Sequence, residues 1–169
     1  MNHHEQVVEL LKFHFQDSHF SGVEIGTACG CLAKSILLYL PNADKIYAID
    51  PYMHNDESLF EANREQEWHD DRKRQAEVAL APYGERATLI ADTSNNAVGL
   101  VPSVDFVWID GEHALPQIQK DIENYYSKVK AGGILGGHDY HLAKLVIPNV
   151  LQEEVFTGED LTWWIFKKE

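Results

Sequence analysis

Two short clusters hold reactive side chains side by side. Asp110-Gly111-Glu112-His113 follows the apolar run Val104 to Ile109, and His138-Asp139-Tyr140-His141 follows Ile134 to Gly137. A histidine titrates near neutral pH and so suits proton transfer at a bound substrate. A third stretch is built for close approach. Glu24-Ile25-Gly26-Thr27-Ala28-Cys29-Gly30 places an acidic residue, a glycine, three small residues and a second glycine after the apolar Val23. Glycines let a backbone come near a ligand and adopt positive φ. The spacing is not the G-x-G-x-x-G that holds a dinucleotide pyrophosphate at a helix N-terminus. The carboxylate would repel a pyrophosphate and suits a ligand with cationic groups. Asp50 ends the run Lys45 to Ile49, twenty residues past Gly30, where a carboxylate can accept hydrogen bonds from both ribose hydroxyls.

These residues follow short apolar strands that alternate with helical patterns. Leu32 to Leu40 reads as a helix, as do Glu5 to Gln16, Leu142 to Val150, and a stretch marked by Ile118, Ile122, Tyr125 and Val129 that Gly132-Gly133 ends. Arg86 to Ala91 predicts a third strand, followed by Asp92-Thr93-Ser94, which suits a helix N-cap. Glu153 to Phe156 and Thr162 to Lys167, joined by a turn, predict a closing hairpin. The expected fold is α/β, Rossmann-like and doubly wound. Its seven-stranded sheet is mostly parallel, with an antiparallel C-terminal strand. Loops at the carboxyl end of such a sheet surround the ligand. Asp110, His113, His138 and Asp139 all fall there, more titratable groups than folding needs. The long 52–81 segment is a candidate lid or substrate wall, with Phe60, Trp68 and Tyr140 as candidate aromatic lining. His3, His4 and His14 fall on the polar face of the first helix and are expected to be solvated.

The chain has 169 residues, 44% hydrophobic and 24% charged, and reads as one domain over 1–169. No apolar stretch approaches the ~20 residues of a membrane span. The polar start lacks a signal-peptide layout, so a cytoplasmic location is expected. Cys29 and Cys31 are two apart, neither a redox nor a zinc spacing, and read as small fillers of a tight turn. A net charge of −13 disfavours nucleic acids and anionic membranes as partners. An exposed first helix or final hairpin is available to pair two copies as a homodimer.

The stretch Glu24 to Gly30 resembles motif I of the class I S-adenosylmethionine-dependent methyltransferases, and its E-x-G-x-x-C-G form resembles the small catechol and macrocin O-methyltransferase-type branch. The pattern departs at Leu32, where many relatives carry Ser or Thr against the cofactor carboxylate. The resemblance implies that Glu24, Gly26, Thr27 and Gly30 surround the methionine part of S-adenosylmethionine. It further implies that Asp50 holds the ribose, that Asp92 and Thr93 flank the adenine, and that Asp110 borders the cofactor. It implies His113 as the base, and Asp110, His138 and Asp139 as ligands of a divalent metal such as magnesium or manganese. His138 stands where a carboxylate is usual: either the metal differs from magnesium, or His138 is a second base, or there is no metal. The implied activity is methyl transfer to a small-molecule acceptor at a hydroxyl, an in-line displacement in which positioning supplies much of the rate. A non-catalytic S-adenosylmethionine-binding protein and a nucleotide-dependent oxidoreductase are the two rivals.

Overall fold

The computed structural model describes residues 2–58 and 60–168. Its sheet has seven strands: β1 Phe20–Ile25, β2 Ala43–Ile49, β3 Ala87–Ile90, β4 Val104–Ile109, β5 Val129–Gly137, β6 Phe156–Thr157 and β7 Trp163–Phe166. They lie in the order β3-β2-β1-β4-β5-β7-β6, with β7 antiparallel to both of its neighbours. The expected mostly parallel sheet with an antiparallel closing strand is thus observed.

The register explains why the reactive groups meet. Ile25 pairs with Ile49 and Ile109, Ile49 with Ile90, and Ile109 with Gly137. One row across the sheet therefore marks the end of five strands. Gly26, Asp50, Asp110 and His138 each come one residue past it.

Helices cover both faces. The largest is α3 Gln66–Leu80; α1 His3–Phe15, α2 Cys31–Tyr39 and α5 Leu115–Tyr126 are the other long ones. One-turn helices α4 Ser94–Ala97, α6 Tyr140–Ala143 and α7 Ile147–Val150 are the other α-helices among the described residues. On one face Val7 and Leu11 of α1 and Leu32 and Ile36 of α2 bury against Phe106, Trp108 and Ile134. On the other, Ile118, Ile122 and Tyr125 of α5 bury against Val107, Ile109 and Leu135. Each fully buried aliphatic side chain of this kind stabilises the fold by roughly 1.5–3 kcal/mol. Asn2 and Glu5 form a reciprocal capping box that starts α1. No helix among the described residues is long and apolar enough to cross a membrane.

Several expectations change, among them the first hairpin strand, which is Phe156–Thr157 and not Glu153 to Phe156. Val129 does not continue α5; that helix ends at Tyr126, and Val129 opens β5 by pairing with Val104. Gly132-Gly133 lies inside the strand, where Gly132 has φ +76 and a Cβ on Gly133 would come within 2.5 Å of the Asp105 carbonyl oxygen. The glycines pass the strand by its neighbour instead of stopping a helix. The stretch Leu142 to Val150 is not one helix but α6 and α7, with Pro148 in the first turn of the second. Within the 52–81 segment, α3 is the ordinary crossover between β2 and β3, so only the stretch up to about residue 64 differs from a plain connection.

Candidate active site

The first half of the site is the turn between β1 and α2. Gly26 has φ +82, and a Cβ there would lie 2.0 Å from the Asp110 carbonyl oxygen, so the turn is pressed onto the end of β4. Gly30, φ +75, is the left-handed residue from which α2 starts. The Gly26 amide donates to the Ile49 carbonyl at 2.8 Å. Glu24 is buried; its Oε2 accepts from Thr27 Oγ1 at 2.6 Å and from the Ala33 amide at 3.2 Å. Burial pushes its carboxyl up to about 8. Asp50 works the same loop from β2. One carboxylate oxygen accepts from the Ala28 amide and the other from the Tyr52 amide, both at 2.9 Å. Burial raises its pKa, against the pull of those two amides. Tyr52 Oη then donates to the Ala28 carbonyl at 2.8 Å. Ala28 and Tyr52 both have positive φ, a conformation held by this clamp. Asp92 Oδ1 accepts from the Thr93 amide at 2.7 Å, and Thr93 caps α4. Leu32 points into the core with 1% exposure, so its side chain offers nothing to a ligand.

The second half lies past β4 and β5. Trp163 Nε1 donates to the His138 carbonyl, and Gly136 and Gly137 leave room for Trp163 to cross beneath. Asp139 follows with φ +53. His113 Nε2 lies 3.0 Å from Asp139 Oδ2. His138 Nδ1 lies 3.2 Å from the same oxygen and 3.7 Å from Asp110 Oδ1. His141 Nδ1 is 3.7 Å from Asp139 Oδ1. Burial raises the Asp110 carboxyl, and His138 and His3 oppose that rise.

The expected residues therefore gather as two adjoining groups. Glu24, Gly26, Thr27, Gly30 and Asp50 form one, with Asp92 and Thr93 at the neighbouring strand end. Asp110, His113, His138 and Asp139 form the other. Asp110, His113 and Asp139 offer donor atoms within 4.8 Å of one another, a set able to hold a cation, and His138 Nδ1 faces both of those carboxylates.

The expectation of solvated histidines on α1 fails. His3 Nε2 is 3.6 Å from Asp110 Oδ2, and its ring lies 4.6 Å from that of His138. His4 is half-buried against them; burial first, then His3 and His138, lower its pKa to about 4. His14 Nε2 contacts the Gly132 carbonyl, and its ring stacks on Phe166. The cause is the C-terminal hairpin, whose turn reaches the start of α1, so the polar face of the helix is covered. Sequence reading also missed Tyr52, although a tyrosine two residues past a strand-end aspartate is a readable clue. The 52–81 segment touches the second group at one point: the Phe60 ring meets His113 edge-on at 5.0 Å, and Ser58 Oγ donates to Glu112. Trp68 instead packs with His69 and Arg72, and Tyr140 packs against the core, so the three aromatics line no common wall.

The sequence profile of a family described as "Methyltransferase domain" matches residues 23–140. No curated protein sequence matches the chain. Among solved structures, the O-methyltransferase NovP superposes with TM-score 0.70 at 16% identity, covering 97% of this chain and 80% of that one. A protein from Staphylococcus aureus provisionally assigned as a caffeoyl-CoA O-methyltransferase gives 0.71 at 14%, covering 98% and 82%. An rRNA methylase from Streptococcus thermophilus gives 0.66 at 15%, covering 97% and 95%. At these identities the likeness concerns the fold.

Proposed function

The chain belongs to the methyltransferase-domain family, with S-adenosylmethionine as the methyl donor, and we propose that it methylates a hydroxyl of a small-molecule acceptor. The observation that carries this reading is the His113–Asp139 pair, 3.0 Å apart, beside the glycine turn. Asp139 holds His113 Nε2 and leaves Nδ1 to face an acceptor hydroxyl. His113 would take the hydroxyl proton as the oxygen attacks the sulfonium methyl and the thioether departs. Asp139 would stabilise the imidazolium that forms. Glu24 and Thr27 brace the turn for the methionine portion, Gly26 and Gly30 give it room, and Asp50 presents carboxylate lone pairs to the ribose. Asp92 and Thr93 flank the place of the adenine, and Asp110 borders the cofactor. The ring of Phe60 would press on the acceptor and keep water from His113.

Asp110, His138 and Asp139 would hold a divalent cation. Two carboxylates with an imidazole suit manganese, iron or zinc better than magnesium. Such an ion would lower the pKa of a bound hydroxyl.

The acidic balance of the chain supports a small acceptor over an RNA, which would need a basic surface. Calorimetry with S-adenosylmethionine, with and without manganese, tests the cofactor reading, with Asp50→Ala as the comparison. The expected result is micromolar binding that the variant weakens at least tenfold. Binding of NAD in place of S-adenosylmethionine would overturn the reading. A panel of catechol, phenol and sugar hydroxyls then tests the acceptor class; binding without turnover of any of them would favour a non-catalytic role.

A further inference from the structure

His138 has two ring nitrogens in unlike surroundings. Nδ1 faces the carboxylates of Asp139 and Asp110, at 3.2 and 3.7 Å. Nε2 is buried and has no hydrogen-bond partner among the described residues. A carboxylate on one imidazole nitrogen fixes the proton there and leaves a lone pair on the other, which is how metal-binding histidines are commonly held. A buried lone pair without a partner is costly unless something occupies it.

Two further donors stand beside that ring, and both come from the far ends of the chain. His3, in the first turn of α1, lies ring to ring with His138 at 4.6 Å. Asp160 lies in the turn between β6 and β7, where Asp160 and Leu161 both have φ near +55. Its Oδ2 accepts from the His3 backbone amide at 3.1 Å and lies 3.3 Å from His3 Nδ1. Thr162 Oγ1 adds a hydrogen bond to Gln6 at 3.0 Å, so the turn is seated on α1 by more than one contact. Donor atoms of His3, His138 and Asp160 lie within 4.8 Å of one another. A tetrahedral ion with bonds of about 2.0–2.1 Å has ligand–ligand edges of roughly 3.3–3.4 Å, close to the observed separation of His3 and Asp160.

We infer that His3, His138 and Asp160 form a binding site for a zinc-type divalent cation, which staples the first helix to the C-terminal hairpin across the end of β5. Two imidazoles and one carboxylate favour zinc or cobalt over magnesium. The fourth position would be left to water. His3 and Asp160 are not among the residues assigned to methyl transfer. A neutral imidazole offers a single lone pair, so this site, through Nε2, and the cation reading above, through Nδ1, are alternatives for His138; this one requires neither turnover nor Asp139 as a ligand.

The test uses the full chain freed of metal, titrated with zinc by calorimetry and with cobalt by visible absorption. One equivalent of either ion is expected to bind. His3→Gln and Asp160→Asn should each weaken zinc by at least tenfold, roughly the loss expected on disturbing a ligand set. S-adenosylmethionine affinity should remain at the wild-type value, which shows that the variants fold and separates this inference from the methyl-transfer reading. In the unsubstituted chain, imidazole nitrogen NMR should show zinc moving two histidines that are absent from the spectra of His3→Gln and His138→Gln. The inference is overturned if zinc fails to bind, if both variants bind it as tightly as wild type, or if His113 is the histidine whose signals move.

Discussion

On the β3–β2–β1 side of the sheet's carboxyl edge, carboxylates hold backbone. Asp50 takes the Ala28 and Tyr52 amides, Asp92 takes the Thr93 amide, and Glu24 takes the Ala33 amide. On the β4–β5–β7 side, carboxylates face imidazoles. Asp139 meets His113 and His138, Asp110 meets His138 and His3, and Asp160 meets His3. The first side is shaped by chain geometry and needs no particular charge on a neighbouring side chain. The second is shaped by side chains whose protonation decides whether they attract. On the proposed reading, a scaffold for a fixed cofactor and a place for proton transfer share one edge while being built by different physics.

Substitutions should separate the two sides. The largest effect is expected at Gly26→Ala. The added methyl would sit 2.0 Å from the Asp110 carbonyl oxygen at a φ of +82, and backbone cannot yield as a side-chain tip does. Cofactor binding should vanish, with stability reduced by on the order of 3 kcal/mol in urea unfolding. Near-normal binding would mean that the turn is not the rigid partner of the comparison. Next comes His113→Ala. Turnover should fall about 10²–10⁴-fold while the S-adenosylmethionine dissociation constant stays unchanged, because the residue belongs to the other side. A matching loss of cofactor affinity would show that the two sides are not separable.

A third test concerns pH. The Glu24 carboxyl titrates at about 8 when folded, against 4.5 in its ordinary state. Between those values the folded chain holds a proton that the unfolded chain has released. Stability of the cofactor-free protein should therefore fall as pH rises through that window, by up to about 1.4 kcal/mol per pH unit. Glu24→Gln should flatten that slope in unfolding curves taken between pH 5 and 8; an unchanged slope would move the origin to the other carboxyls raised by burial, Asp50 and Asp110, since His4, lowered to about 4, contributes with the opposite sign. The smallest effect is expected at Phe60→Ala. The ring is 41% exposed and touches His113 by its edge. Acceptor KM should rise by about tenfold or less, and cofactor affinity should not move, as steady-state kinetics and calorimetry would report.

The sequence made the two sides legible to different degrees, for the same reason that they differ. Glu24 to Gly30 and Asp50 are local patterns: a glycine turn after an apolar run, and an acid at the next strand's end. Strand register then does the rest, so reading them in order was enough. Asp110, His113, His138 and Asp139 were readable as strand-end letters, but their partners were not. His3 and Asp160 are 157 positions apart, and the helical pattern of α1 marks a polar face without saying that a hairpin turn will cover it. Gly132-Gly133 misled because glycine marks a helix stop and a close strand crossing alike. Only the Asp105 carbonyl beside Gly133 distinguishes them. The break between α6 and α7 was marked by Pro148, which also tolerates a first-turn position and so allowed either reading.

The clamp of Asp50, Ala28 and Tyr52 carries a thermodynamic consequence. The turn that would meet the cofactor is already tied at both carboxylate oxygens and at the tyrosine hydroxyl, so little backbone freedom is left to lose when a ligand arrives. Binding there should resemble docking into a finished mould. Its heat-capacity change should be the small negative value of ligand burial alone, without the larger one that accompanies the folding of a loop.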